Sequence, residues 1–212
     1  MKNLQLRLTK KTYPPNMHYD IESLKPADQL QRRVEIIQKY HDTFFTVQKD
    51  FMFLDMGCSK GYFSFLGGIM FDKVVSFDYD PEVTQLCKDI GFARDANNIK
   101  FTSCSHGEFL DSYDGEKFDR VMLGNGPHYP FIEREGYGYI CEIANLMNVG
   151  GEFLVEGPFG MECADMSIIP NHLRSIFNKV DFTKEMNNFF YQVGPIVNGL
   201  NQDRYVSLWK KK

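Results

Sequence analysis

Phe51-Met52-Phe53-Leu54-Asp55-Met56-Gly57-Cys58-Ser59-Lys60-Gly61 is the stretch that decides how this chain is read. The apolar run 51–56 reads as a buried strand that ends in Gly57, and residues 60–70 read as a glycine-led helix. Glycines in such a strand-to-helix turn let the backbone approach a ligand that a Cβ would block. The pyrophosphate-cradling fingerprint Gly-x-Gly-x-x-Gly is absent. Instead Asp55 stands ahead of the first glycine, where it would repel a pyrophosphate and favour an ammonium or a sulfonium.

The next strand-like run, 73–77, delivers Asp78 at its end. In nucleotide-binding α/β folds an acid at about this place accepts hydrogen bonds from ribose hydroxyls. Tyr79 beside it is placed to pack on a nucleoside. Taken singly, Asp55 with Gly57 is equally an ordinary strand-to-helix turn, and Asp78 is equally a surface carboxylate. Together they describe a ligand with a cationic amino-acid end and a ribose.

Outward from this stretch the pattern alternates between strand and helix. Upstream, residues 1–22 read as irregular, with a break at Pro14-Pro15. A helix follows over 27–41, with Leu30, Val34, Ile37 and His41 on one stripe and Arg32, Arg33, Glu35 and Lys39 elsewhere. Downstream, Asp80-Pro81-Glu82 is a compact helix start, and Gly91 is expected to end that helix. Strands are expected at 99–104, 118–123 and 152–156, and a helix over 139–148 that Gly150-Gly151 stops. A second helix is expected at 170–178 with Leu173, Ile176 and Phe177 inward. The β-rich runs 182–193 and 204–209 are expected to form an antiparallel hairpin. The fold class is therefore α/β: a seven-stranded, mostly parallel sheet with helices on both faces and an antiparallel C-terminal edge hairpin. Ligands of such sheets bind off the carboxyl ends of the strands, so the loops near 56, 78, 104, 124 and 157 matter.

The 212 residues suit one domain, and 43% hydrophobic with 25% charged residues is enough apolar material for a core. The net charge of −4 argues against a protein that grips nucleic acid mainly through charge. Residues 1–50 carry nine Lys/Arg against six Asp/Glu, and the remainder 15 against 22. Solvated surface charge is the simpler reading of the basic start; an anionic ligand is the other. Cys58, Cys87, Cys104, Cys141 and Cys163 are odd in number and without CxxC spacing, which reads as reduced, mostly buried thiols in a cytoplasmic protein. No histidine pairs with a cysteine at ligand spacing, so no metal is expected. The N-terminus has no signal-type apolar block, and the apolar stretch 62–71 is too short for a bilayer, so no membrane association is expected.

Residues 51–63, FMFLDMGCSKGYF, resemble the first motif of the class I S-adenosylmethionine (SAM)-dependent methyltransferases, acid-x-Gly-x-Gly-x-Gly, with Ser59 at the middle glycine. VVSFDYDPE at 74–82 resembles the second motif, FDRVMLGNGP at 118–127 the fourth, and NVGGEFLVEGP at 148–158 the glycine turn and fifth strand. The resemblance covers about residues 30–212. It departs at Ser105-His106-Gly107, which lacks the acid often found there for the adenine amino group. It implies a single methyltransferase domain over 1–212, with 1–44 as an N-terminal lid or helical extension and 45–212 as the SAM-binding core. It further implies SAM as cofactor, with Asp55, Gly57, Ser59, Gly61, Asp78, Tyr79, His106 and Asn125 as the residues that hold it.

The loop from Gly124 to Phe131 is where such enzymes present the acceptor. His128 is the candidate general base there if the acceptor must lose a proton; a loop histidine without a catalytic role is the simpler alternative. Asn125-Gly126-Pro127-His128-Tyr129 has the residue types of the amino-methylating Asn/Asp-Pro-Pro-Tyr/Phe motif at broken spacing. The Lys-Asp-Lys-Glu set of ribose 2′-O-methyltransferases is missing, since Glu156 stands where the fifth-strand lysine would be. The expectation is methyl transfer to an O or N atom of a small-molecule acceptor. The alternatives are a nucleic-acid or protein methyltransferase, viral and phage enzymes included, and a non-catalytic SAM-binding protein.

Overall fold

The computed structural model describes residues 28–124, 127–157, 169–198 and 205–212. The expectations for residues 1–27, for Asn125 and for Cys163 fall outside the described residues. The elements run α1 (Asp28–Tyr40), β1 (Gln48–Met56), α2 (Tyr62–Met70), β2 (Phe71–Asp78), α3 (Pro81–Ala93), β3 (Ile99–Ser103), α4 (His106–Ser112), β4 (Phe118–Gly124), α5 (His128–Glu133), α6 (Tyr139–Leu146), β5 (Met147–Gly157), a 3-10 turn (Asn171–Leu173), α7 (Lys179–Phe189), β6 (Phe190–Asn198) and β7 (Tyr205–Lys211).

The seven strands form one sheet in the order β3-β2-β1-β4-β5-β7-β6. β3, β2, β1, β4 and β5 are mutually parallel, and β7 runs antiparallel to both β5 and β6. The strand direction reverses only within the hairpin, as the β-rich tail predicts.

Side chains alternate across each strand, so the two faces are two sets of residues. Leu54, Met56, Phe77, Val121, Leu123, Phe153 and Val155 belong to one core, shared with Phe109, Phe131, Ile140, Ile143, Phe182 and Met186 of α4–α7. Phe53, Val74, Met122, Leu154, Val206 and Leu208 belong to the other, with Ile37 of α1 and Phe63 of α2. By the same alternation Asp55, Asp78, Gly124 and Glu156 share the second face, the one that α1 and α2 cover. Leu123 is level with both Met56 and Val155, so the ends of β1, β4 and β5 finish at one height.

Several elements differ from the sequence reading. Gly91 lies inside α3, which continues to Ala93; a Cβ there would meet Phe101 at 3.8 Å, so the glycine sits close to β3 rather than ending the helix. α6 stops at Leu146, and the Gly150-Gly151 pair lies within β5, where the pairing with β4 slips register. The expected helix at 170–178 is a single 3-10 turn; Leu173 and Phe177 are buried, but Ile176 is exposed. Residues 182–189, read as strand, are helical, because Phe182, Met186 and Phe190 recur at four-residue spacing against the core and Asn178 caps the start by accepting from Asp181 N–H at 2.9 Å. α4 and α5 were read as loop. Cys58 and Cys87 are buried free thiols, whereas Cys104 and Cys141 are partly exposed.

Candidate functional site

From the end of β1 the chain turns through three left-handed residues, Gly57 at φ 71°, Ser59 at φ 48° and Gly61 at φ 76°. The turn is laced to the end of β2. Cys58 N–H donates to Phe77 O at 2.9 Å, and Ser59 N–H donates to Asp78 Oδ2 at 2.8 Å. Asp78 Oδ1 accepts from Asp80 N–H at 3.0 Å, and Asp80 in turn caps α3 by accepting from Glu82 N–H at 2.9 Å. The glycines have different reasons. At Gly57 a Cβ would have 3.6 Å to His106 Nε2, so the left-handed φ is what requires glycine. At Gly61 a Cβ would also press on Cys87 Sγ at 3.0 Å and Phe65 at 3.1 Å.

Asp55 is buried beneath this turn and accepts a hydrogen bond from Ser64 Oγ of α2 at 2.6 Å. Burial pushes its carboxyl up to about 6, opposed by the Ser64 bond and by Arg33 and reinforced by the Asp78 charge. Two acids thus lie at adjacent strand ends beside backbone amides. That arrangement disfavours a pyrophosphate and suits a cation.

The opposite wall comes from α4 and α5. His106 opens α4, with its N-cap Ser105 in a reciprocal capping box with Glu108. The His106 ring packs edge-on against Phe77 at 5.2 Å and lies parallel to Tyr129 at 6.3 Å. Its Nε2 is buried and without a hydrogen-bond partner among the described residues. Burial first, then the neighbouring His128, pushes its pKa down to about 4, so the ring is neutral. His128 opens α5, buried, with its ring 4.2 Å from that of Tyr129. Glu133 of α5 accepts from Gly107 N–H, and Arg134 bonds Gly107 O at 3.2 Å and Asp111 at 2.7 Å, which fixes α4 against α5.

Further along the sheet Arg33 of α1 reaches over the ends of β4 and β5. Its Nε donates to Glu156 Oε2 at 2.6 Å, and its Nη2 pairs with the same oxygen. The guanidinium lies over the Phe63 ring at 5.0 Å. A Cβ on Gly124 would come within 3.1 Å of Arg33 Nη2, so this glycine makes room for the arginine.

The structure therefore brings Asp55, Gly57, Ser59, Gly61 and Asp78 to one corner, with His106 and His128 across from it. Tyr79 is 67% exposed beside them. Asn125 lies outside the described residues. Arg33 and Ser64 join this corner although the sequence reading did not select them, and Glu156 was named only as the residue at the fifth-strand lysine position. Glu156 carried a cue, a carboxylate next to the last position of β5 in a run of buried residues. Among the described residues no group of three or more His, Cys, Asp or Glu could hold a metal ion, and no helix is long and apolar enough to cross a membrane.

No family model matches the chain, and no curated protein matches it either. Solved structures do. The N-methyltransferase NodS from Bradyrhizobium japonicum WM9 in complex with S-adenosyl-L-homocysteine (SAH) superposes with a TM-score of 0.66 at 12% identity, over 99% of this chain and 97% of that one. An rRNA methylase from Streptococcus thermophilus gives 0.56 at 17% identity, over 81% and 93%. Precorrin-6y C5,15-methyltransferase from Geobacter metallireducens GS-15 gives 0.57 at 14% identity, over 93% and 100%. The fold is accordingly the Rossmann-like fold of class I SAM-dependent methyltransferases.

Proposed function

We propose that this chain is a SAM-dependent methyltransferase acting on an O or N atom of a small-molecule acceptor. The observation that carries the reading is the left-handed turn 57–61, tied to the Asp78 carboxylate and set above the buried Asp55 at the carboxyl ends of β1 and β2. The three solved relatives are named for methyl transfer to different acceptors, and one of them holds SAH, the product of methyl donation. The negative net charge and the cover that α1 lays over β4 and β5 favour a small acceptor over a nucleic acid.

The residues fit an adenosyl amino acid. Asp78 accepts from the Ser59 and Asp80 N–H groups, and a carboxylate at the end of β2 suits the ribose hydroxyls. Asp55 supplies negative charge for an α-ammonium. The orphaned Nε2 of the neutral His106 is a hydrogen-bonding atom for the adenosyl part. When bound, the cofactor supplies a methyl carbon made electrophilic by its sulfonium. The protein's part is alignment and exclusion of water, with His128 as the group that takes a proton from an acceptor that must lose one. In this reading residues 1–212 form one methyltransferase domain, with 1–44 as a lid or helical extension and 45–212 as the SAM-binding core.

Calorimetry tests this. SAH and SAM are expected to bind, and NAD⁺ is not. A titration in which NAD⁺ binds and SAH does not would overturn the assignment.

A further inference from the structure

Glu156 is a fully buried carboxylate at the ends of β4 and β5, and among the described residues its second oxygen accepts no hydrogen bond. Its side chain has no exposed surface. Both nitrogens of the Arg33 fork converge on Oε2 instead of spreading over the two oxygens, and Oε1 is left without a hydrogen-bond partner among the described residues. An unsatisfied buried carboxylate oxygen is costly, and a folded protein keeps one where something else completes it. The location is specific. Glu156 pairs with Gly124 in the sheet, on the face that also carries Asp55, and Arg33 sits near enough to Asp55 to lower its pKa. Arg33 occupies only one of the two Glu156 oxygens. The corner therefore calls for a hydrogen-bond donor.

Resting on the methyltransferase reading, we infer that Glu156 Oε1 is the acceptor-recognition atom and that the acceptor is a primary or secondary amine whose N–H it takes. Arg33 is a positioning residue, holding Oε2 so that Oε1 faces the nitrogen. In the transfer the nitrogen lone pair forms the C–N bond as the methyl–sulfur bond breaks and its electrons return to sulfur. The nitrogen, now with one bond more, gives up a proton to a neighbouring base, and neutral product and SAH leave. An amine with no N–H has nothing to offer Oε1 and is excluded by this geometry.

The test uses three probes of one skeleton against the SAH-saturated full chain: benzylamine, benzyl alcohol and benzyltrimethylammonium. Benzylamine is expected to bind at least tenfold more tightly than either of the others, and Glu156→Gln is expected to erase that preference while SAH affinity stays within threefold. The wild-type comparison stands even if the variant does not fold. Equal affinity for the three probes, no binding of any of them to the SAH complex, or tight benzyltrimethylammonium binding would overturn the inference while leaving the cofactor assignment intact. Failure of SAH itself to bind would remove both.

Discussion

Ser59 and Asp78 are bonded across two strand ends, the backbone N–H of one to the carboxylate of the other at 2.8 Å. The turn after β1 and the acid after β2 are therefore one unit. Ser59 holds a left-handed φ of 48° that a non-glycine residue adopts at a cost of roughly 1–2 kcal/mol, and this bond offsets part of it. The Asp78 carboxylate therefore has a structural part as well as the ligand-binding one proposed. Asp78→Ala is expected to lower folding stability by about 1–3 kcal/mol, because two N–H groups lose their acceptor, and to weaken SAH binding as well. Urea unfolding and calorimetry on the same variant check this. Weakened SAH binding with an unchanged urea midpoint would show that the two N–H bonds do not matter for the fold.

Two of the buried titrating groups, Asp55 and His106, act in opposite directions with pH. Asp55 rises from 3.8 to about 6 on folding, so the folded state holds a proton the unfolded state has lost, and stability falls as pH rises through that window. His106 drops from 6.5 to about 4, so there the unfolded state binds the extra proton, and stability rises with pH between those values. Each shift corresponds to about 3 kcal/mol, so the two slopes nearly cancel between pH 4 and 6. Asp55→Asn should expose a positive slope and His106→Gln a negative one, measured as denaturant midpoints against pH. Parallel profiles for the two variants would refute the assignment.

The two loop glycines should not be equivalent. Gly57→Ala meets only an unfavourable φ, whereas Gly61→Ala meets the same φ and contacts at 3.0 and 3.1 Å. Gly57→Ala is expected to cost about 1–2 kcal/mol and Gly61→Ala more, by thermal or urea unfolding. A larger loss at Gly57 would contradict the packing described for α2 and α3.

Arg33 and Glu156 form a buried pair whose halves depend on each other. Arg33→Met leaves an unpaired carboxylate in the core and should cost about 3–5 kcal/mol, while Arg33→Met combined with Glu156→Met should regain most of that loss. A double-mutant cycle by denaturant unfolding gives the answer. Additive effects would mean that the pair is not coupled.

His128 should affect turnover and not cofactor affinity. If the acceptor must lose a proton to become nucleophilic, as a hydroxyl must, His128→Ala is expected to lower kcat by about 10²–10⁴ with SAH affinity within threefold, whereas with a neutral amine the base is unnecessary and the variant should stay active. Unchanged kcat, with an unchanged pH profile, would remove His128 from the mechanism.

The parts legible in the sequence were those set by local chemistry. The turn after β1, the cap of α3 and the acid after β2 depend on residues close in the chain, and the parallel order followed from alternation. α4 was missed although Ser105 and Glu108 spell a capping box, because the helix has only seven residues and little apolar periodicity. α7 reads as a strand from sequence because its phenylalanines suit either period, and only packing against Trp209 and Tyr137 decides. Arg33 and Glu156 are 123 positions apart, and no local pattern joins them. Burial of an ion pair becomes visible only when α1 is laid over the ends of β4 and β5.

The placement of β7 between β5 and β6 has a consequence for how the chain assembles. β6 is made before β7, yet it has no pairing partner until β7 is present, since it does not touch β5 in the sheet. During synthesis its backbone amides and carbonyls, with Tyr191 exposed along it, remain an open template. The parallel half from β3 to β5 can close earlier. The order in which strands are synthesised is therefore not the order in which they are seated, and residues 190–198 take their place only when residues 205–211 lie between them and β5.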